Sequence, residues 1–273
     1  MTRKHFFALI LMSLQTVLAY AQCPYENNAF IPGEKLTYDL YFNWKFIWVK
    51  AGSAHYSIKS VEYDGQESLR SDLIFLSNKR CSAIFPMKDT LVSITSPDLV
   101  PKYFRKGSAE GSRYTVNEVW YDFVDGKNVL KQKYLNRHGV WSEKSYESQE
   151  CNFDMLSILS VARTFDTSQY KDGHRIYFPM ASGRKVEMQT LVFRGRENFE
   201  ANDGVTYRCL VFSLLDQESK KKEKELLRFY ITDDLNHLPV RIDFYLKFGS
   251  AKAFYVKGEN LKNPQTSIVK KKR

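Results

Sequence analysis

Apolar and polar residues alternate along most of this chain, and this period of two predicts β-strands. The first alternating run spans residues 35–49 and reads KLTYDLYFNWKFIWV. It is longer than an ordinary strand, so we expect a bend or a β-bulge within it. One face of this predicted strand carries five rings, which we call the aromatic stripe: Tyr38, Phe42, Trp44, Phe46 and Trp48.

Further alternating runs follow, and Asp-Gly pairs separate two pairs of them. Asp64-Gly65 and Asp125-Gly126 each lie between such runs, and Asp-Gly is a preferred sequence for a tight β-hairpin turn. Hairpins in series predict an antiparallel meander. The other predicted strands cover residues 51–61, 68–76, 89–96, 102–106, 113–124, 128–135, 175–180, 185–194, 206–215, 225–231, 239–246 and 252–256.

A convincing helical period occurs in residues 152–165 (NFDMLSILSVARTF), where apolar residues recur at spacings of three and four. Asn152 or Asp154 can cap its N-terminus, where a carboxylate also suits the helix dipole. Ser157 lies inside the helix, so we expect it to hydrogen-bond the preceding turn and not to act as a nucleophile. The predicted fold is therefore mostly β: an antiparallel, strongly curled sheet or incomplete β-barrel with one central amphipathic helix.

Residues 1–21 have the pattern of a secretory signal peptide. Basic residues precede a short apolar run, and Ala19-Tyr20-Ala21 ends it with a small residue on each side. The apolar run is too short to span a bilayer comfortably, so we expect cleavage after Ala21 and a periplasmic or outer-membrane-associated protein. The rest of the chain divides into an N-terminal extension (22–32), a single β-rich domain (33–259) and a basic C-terminal tail (260–273).

Four cysteines follow the predicted cleavage point: Cys23, Cys81, Cys151 and Cys209. An even number in an oxidising compartment favours disulfides, with three full pairings open, or one bridge and two buried thiols. None of the four has the spacing of a redox motif or a zinc site. Gln22 stands where a lipidated cysteine needs a small residue before it, so we expect Cys23 to form a disulfide that tethers the N-terminus.

The formal net charge is +10, and the basic residues are spread along the chain. In an exported protein, anionic lipid or glycan is a better partner than nucleic acid, and solubility alone also explains the charge. Dense basic runs occur at residues 220–222 and 270–273, which suit a hairpin tip and a frayed tail. We expect no nucleic-acid partner.

No catalytic, metal or cofactor motif stands out in the sequence. The histidines are far apart, and no serine lies in a strand-to-helix elbow. Asp233-Asp234 fits a turn before the next strand better than a calcium or acid–base site. Glu34, which precedes the aromatic strand, is a candidate for an ion pair with a buried arginine such as Arg163. We predict no catalytic residue, no metal site and no cofactor.

Several short motifs follow one another in a characteristic order. They are Gly33-Glu34-Lys35-Leu36-Thr37-Tyr38, Ala51-Gly52, Asp154-Met155-Leu156-Ser157 with Arg163, Thr232-Asp233-Asp234, Leu238-Pro239-Val240 and Gly249-Ser250-Ala251-Lys252. Together they resemble an exported bacterial family, the domain of unknown function 3108, and the aromatic residues 43–50 resemble its Bacteroidetes variant. The resemblance implies a periplasmic or outer-membrane-associated, mostly β protein and no particular reaction. The layout is also similar to the open half-barrels of bacterial lipoprotein and lipid carriers, although a fold does not decide a function.

The aromatic stripe is the best candidate for a binding site. Its rings either line the concave face of an open barrel around an apolar cavity, or pack as core beneath the helix. Our leading hypothesis is a non-enzymatic cell-envelope protein that binds a hydrophobic or amphipathic ligand, a lipid or lipoprotein. The alternatives are a structural or assembly factor that contacts an envelope protein, and an enzyme acting on glycans, which needs two facing carboxylates in a cleft.

Overall fold

The computed structural model describes residues 23–44, 47–83, 86–216, 223–246 and 249–271. The predicted signal peptide, Phe46 and the basic run at 220–222 lie outside the described residues. In chain order the elements are β1 (Lys35–Trp44), β2 (Ile47–Tyr63), β3 (Gln66–Ser77), α1 (Lys79–Ser82), β4 (Met87–Thr95), β5 (Pro101–Glu110), β6 (Arg113–Val124), β7 (Lys127–Leu135), β8 (Trp141–Ser148), α2 (Met155–Ala162), β9 (Arg175–Ser182), β10 (Lys185–Glu200), β11 (Val205–Asp216), β12 (Lys224–Thr232), β13 (Pro239–Leu246), β14 (Gly249–Glu259) and β15 (Ile268–Lys271).

All of these strands belong to one antiparallel sheet. Strands β1 to β8 form one meander and β9 to β14 a second, and the two join where β1 pairs with β14, while β15 pairs with β11. Within the described chain, β8 and β9 are the two edges and do not pair with each other, so the barrel is not closed. The predicted antiparallel curled sheet or incomplete barrel is therefore confirmed.

Both Asp-Gly turns lie where the sequence predicts them. The φ angles of Asp64 and Gly65 are 52° and 71°, and those of Asp125 and Gly126 are 50° and 79°. Positive φ at both central residues is the geometry that matches the twist of an antiparallel pair. These turns join β2 to β3 and β6 to β7 without an intervening loop.

The predicted single strand over residues 35–49 is wrong. Strand β1 ends at Trp44 and β2 begins at Ile47, and the two pair with Asn43 opposite Trp48. The aromatic stripe is therefore divided between two strands. Residue types continue to alternate through residues 45–46, which contain neither Gly nor Pro, so the period of two does not reveal where β1 ends and β2 begins.

The central helix is present and begins at the predicted cap. The Asp154 carboxylate accepts hydrogen bonds from the backbone N–H groups of Leu156 (2.8 Å) and Ser157 (2.9 Å). The Ser157 hydroxyl in turn accepts from the N–H of Asp154 (2.8 Å), which completes a capping box. The helix is shorter than predicted because Phe153 pairs with β9, through the carbonyl of Pro179 and the N–H of Ala181.

The two ends of the sheet differ, and we call them the base and the rim. The base is the end at which β1 begins, and the rim is the end at which β1 gives way to β2. The N-terminal segment, the turn at 233–238 and the segment 260–267 cover the base. Phe30 and Leu238 are fully buried there, and Asn263 donates hydrogen bonds to the carbonyls of Asn28 (2.9 Å) and Leu235 (3.4 Å).

One disulfide ties the N-terminus to the domain. It joins Cys23 to Cys151, just before α2, while Cys81 and Cys209 are free thiols. Of the arrangements left open by the sequence, the structure has one bridge and two thiols, and Cys23 tethers the N-terminus as expected. Cys209 is buried and Cys81 is only half-buried. No helix of the described residues is both long enough and apolar enough to cross a membrane.

Candidate functional site

An apolar cavity of about 200 Å³ lies between α2 and the concave face of the sheet. Strands β1 to β4 and β9 to β14 contribute to its walls, and α2 covers it from the other side. An apolar cavity of about 150 Å³ in another protein holds benzene, so this one accommodates more than a single ring. Nearly all of its walls are hydrocarbon, and the lining residues that carry polar groups are Tyr38, Tyr56, Arg163, Thr167 and His237.

On several strands the side chains that line the cavity become more exposed toward the rim. On β11, the lining side chains Leu210 and Phe212 are buried, and Leu214, nearer the rim, is half-buried. On β13, Pro239 at the base is buried, and Phe244 toward the rim is half-buried. The inward-facing residues of β1 and β3 also become more exposed toward the rim. Solvent therefore reaches the apolar walls from the rim.

A buried ion pair lies at the base. The two terminal nitrogens of Arg163 donate to the two carboxylate oxygens of Glu34 at 2.6 and 2.9 Å, and the side chains are 2% and 0% exposed. Arg163 Nε donates to the carbonyl of Asn236 (3.0 Å), and its guanidinium lies 5.0 Å from the centre of the Phe30 ring. Burial alone would lower the pKa of Arg163, but the Glu34 carboxylate raises this pKa by more, so the net shift is upward. The structure therefore contains the ion pair for which the sequence made these residues candidates.

The remaining polar groups of the cavity are neutral. The Tyr56 hydroxyl donates to the Ser71 hydroxyl at 3.2 Å, and burial raises its pKa. Burial also raises the pKa of Tyr38 far above its usual range, so its hydroxyl stays protonated. Burial lowers the pKa of His237, whose Nδ1 lies 2.6 Å from the carbonyl of Arg163 and donates to it. The cavity thus offers a ligand no unpaired charge.

The described residues of the aromatic stripe lie in three different environments. Tyr38 is buried and lines the cavity, and Phe42 is half-buried near the rim without lining it. Trp48 is 38% exposed, and the Lys252 ammonium lies 4.3 Å from its ring centre. The side chains of Trp44 and Phe46 lie outside the described residues. Among the stripe residues that the structure describes, Tyr38 alone lines the cavity.

The sequence did not single out most of the cavity walls. The largest lining side chains include Phe212 on β11, Phe229 on β12 and Phe244 on β13, with Ile158 and Phe165 on the helical side. The signal available in the sequence was the alternation of apolar and polar residues, which assigns each strand residue to one of the two faces of the sheet. Which face turns inward, and whether the helix fills the space above it, depends on contacts between distant segments.

The other candidate positions take structural roles. The Asp234 carboxylate accepts from the hydroxyl of Thr232 (2.9 Å), the N–H of Asn236 (3.1 Å) and the hydroxyl of Ser267 (2.7 Å), as expected of a turn. Asp233 forms an ion pair with Arg208 at 3.0 Å. In the described part of the chain, no three His, Cys, Asp or Glu side chains are grouped so that they could hold a metal ion.

Comparisons with known proteins place the chain in a family. It resembles a solved structure of a β-barrel-like protein of domain of unknown function DUF1849 from Brucella abortus, with a TM-score of 0.56 and 12% identity over 85% of this chain and 98% of that one. That likeness concerns the fold alone. A "putative exported protein with YmcC-like fold" from Bacteroides fragilis aligns over 87% of this chain and 100% of that one, at 9% identity, but its TM-score of 0.34 is too low to establish a shared fold. No curated protein sequence matches significantly. The family model described as protein of unknown function DUF3108 matches residues 37–256, and the chain belongs to this family.

Proposed function

We propose that this protein is an exported, non-enzymatic cell-envelope protein that holds the hydrophobic part of a lipid or lipoprotein in the cavity beneath α2. The observation that carries this proposal is the apolar cavity of about 200 Å³, which opens at the rim. Moving a methylene group from water into an apolar site gains about 0.8 kcal/mol, so even a short acyl segment is held favourably.

The charge distribution favours an amphipathic ligand that enters with its chain first. Arg163 and Glu34 neutralise each other at the base, and the other polar lining groups are neutral. A charged headgroup would lose its hydration inside the cavity without gaining a partner there. The headgroup is therefore expected at the rim and the acyl chain along the concave face.

Two features support export. The disulfide between Cys23 and Cys151 is of a kind that persists in oxidising compartments outside the cytoplasm. The pattern of residues 1–21 also predicts a secretory signal peptide.

Native purification tests the proposal directly. The protein is purified after export from cells that express the full sequence, and extracted lipids are identified by mass spectrometry. We expect acyl-chain compounds in amounts comparable with the protein, and displacement of the apolar fluorophore phenylnaphthylamine by them. A protein that carries no lipid and takes up no fluorophore would rule the proposal out.

A matched pair of variants on β13 locates the binding site. Phe244 lines the cavity near its opening, and Tyr245 lies on the opposite face of the same strand and does not line it. Removing an aromatic side chain that the ligand buries costs about 1.5–3 kcal/mol, so Phe244→Asn should weaken fluorophore binding at least about tenfold. Tyr245→Asn should leave it unchanged, and equal effects of the two would place the site elsewhere.

A further inference from the structure

The rim exposes large apolar side chains at the ends of two neighbouring hairpins. Ile47, Trp48 and Val49, at the start of β2, are 66%, 38% and 44% exposed, and Leu246, at the end of β13, is 49% exposed. The hairpins are adjacent because β1 pairs with β2 on one side and with β14 on the other. Large apolar side chains exposed together at one end of a domain are characteristic of an interaction surface.

Basic side chains lie at the same end of the sheet as these apolar residues. Lys79 and Arg80 lie in α1, whose cap Asn78 is hydrogen-bonded to β2. Lys224 begins β12, and Lys252 lies over the ring of Trp48. Across the residues that the structure describes, Lys79, Arg80, Lys224 and Lys252 take part in no salt bridge.

Three of the acidic side chains at this end of the sheet are already paired. Each of three carboxylates at this end of the sheet has a basic partner within salt-bridge distance, so they do not cancel the positive charge of the rim. The pairs are Asp39 with Lys50, Glu223 with Arg175 and Glu225 with Arg228.

We infer that the rim is a docking surface for an anionic lipid bilayer. Exposed aliphatic and indole side chains suit the boundary between headgroups and acyl chains, and the basic groups beside them suit the lipid phosphates. The rim also surrounds the opening of the cavity, so docking brings that opening against a source of acyl chains. Membrane docking is a property of the rim, and it is separate from the binding of a ligand inside the cavity.

Vesicle sedimentation tests the docking surface. The protein purified after export is mixed with vesicles of phosphatidylcholine alone, or of equimolar phosphatidylcholine and phosphatidylglycerol. We expect binding to the anionic vesicles and its loss at about 1 M salt, where the screening length falls to about 3 Å. Equal binding to both kinds of vesicle, or to neither, would overturn the inference.

Variants at the two ends of the sheet distinguish vesicle binding by the rim from binding through the net positive charge of the whole protein. Ile47→Asn should weaken vesicle binding about tenfold, and Arg80→Ala about fivefold. The matched controls lie at the base: Leu235, which is 60% exposed, and Lys35, which begins β1. Leu235→Asn and Lys35→Ala should bind vesicles like the unaltered protein, and all four should retain its unfolding temperature.

Two outcomes distinguish this inference from its competitors. If rim variants bind vesicles normally but lose a crosslink to an envelope protein in cells, the rim is a protein-binding surface and the inference is wrong. Phe244→Asn, which alters the cavity wall, should still bind anionic vesicles. Docking would then stand even if the cavity proved to bind no lipid.

Discussion

The carboxylate of Glu34 accepts two hydrogen bonds from the guanidinium of Arg163, a residue 129 positions later in the chain. Glu34 immediately precedes β1 and Arg163 immediately follows α2, so the pair fastens the helix to the first strand. Both side chains are buried, and neither can exchange its partner for water. The ion pair therefore fixes the position of α2 over the cavity.

Breaking this pair should destabilise the protein strongly. Glu34→Gln leaves a buried guanidinium without its counter-charge, and the expected loss is about 3–5 kcal/mol of unfolding free energy. The double variant Glu34→Leu with Arg163→Met removes both charges and should be more stable than either single variant. Urea unfolding measures all of these, and a loss below about 1 kcal/mol for Glu34→Gln would contradict the expectation.

Asp154 should make stability fall as the pH rises from acidic to neutral. Burial raises its pKa to about 6 from 3.8, although the N–H groups of Leu156 and Ser157 and the Ser93 hydroxyl bond its carboxylate. The folded form thus holds the proton more tightly than the unfolded form. Its contribution, about 3 kcal/mol, is full below pH about 4 and is lost as the pH rises through about 6.

Asp154→Asn isolates this effect, because asparagine keeps the capping oxygen and does not titrate. Relative to the unaltered protein, the variant should gain about 2 kcal/mol of stability between pH 4 and pH 7. Urea midpoints at the two pH values measure the difference. Parallel pH profiles for the two proteins would show that Asp154 has an ordinary pKa in the folded state.

Loss of the disulfide should destabilise the domain and release its N-terminus. Cys23 and Cys151 are 128 residues apart in the chain, so the bridge closes a long loop of the unfolded chain. Cys23→Ser should cost about 2–5 kcal/mol. Cys81→Ser, which changes a half-buried free thiol, is the matched control and should unfold at nearly the same temperature. Equal unfolding temperatures with and without reductant would show that the bridge does not stabilise the fold.

The two free thiols should differ in reactivity. Burial, reinforced by the charge of Glu197, raises the pKa of Cys209 to about 12, and its side chain is inaccessible. Cys81 is half-buried beside the rim. Iodoacetamide should therefore label Cys81 in the folded protein and Cys209 only after unfolding, as read by peptide mass spectrometry. Rapid labelling of Cys209 in the folded state would mean that its part of the sheet opens easily.

Local chemistry made much of the fold predictable. The Asp64-Gly65 and Asp125-Gly126 turns and the Asp154 cap depend on a few adjacent residues, and all three form as expected. Strand β8 (WSEKSYES) is exposed along nearly its whole length and lacks an apolar face, so alternation could not reveal it. The short β15 is held by pairing with the distant β11, which no local pattern encodes.

The cavity was harder to predict, since it depends on how distant segments meet. Tyr38 lines it, whereas Trp48 lies at the rim because β2, which contains Trp48, runs antiparallel to β1. The cavity walls come from ten strands, α2 and the adjoining loops, and the volume between them depends on where α2 lies over the sheet. Residue periodicity gives the face of a strand, but not the distance to the element that covers it.

The pairing of β1 with β14 also governs when the domain can fold. Lys35 lies opposite Glu259, so the two halves of the sheet share a seam between the first strand and nearly the last. This seam cannot form until almost all of the chain has been synthesised, and pairing between such distant segments is slow. For the export proposed above this delay matters, because a chain that is complete but still unfolded is in the state in which it can be threaded across a membrane.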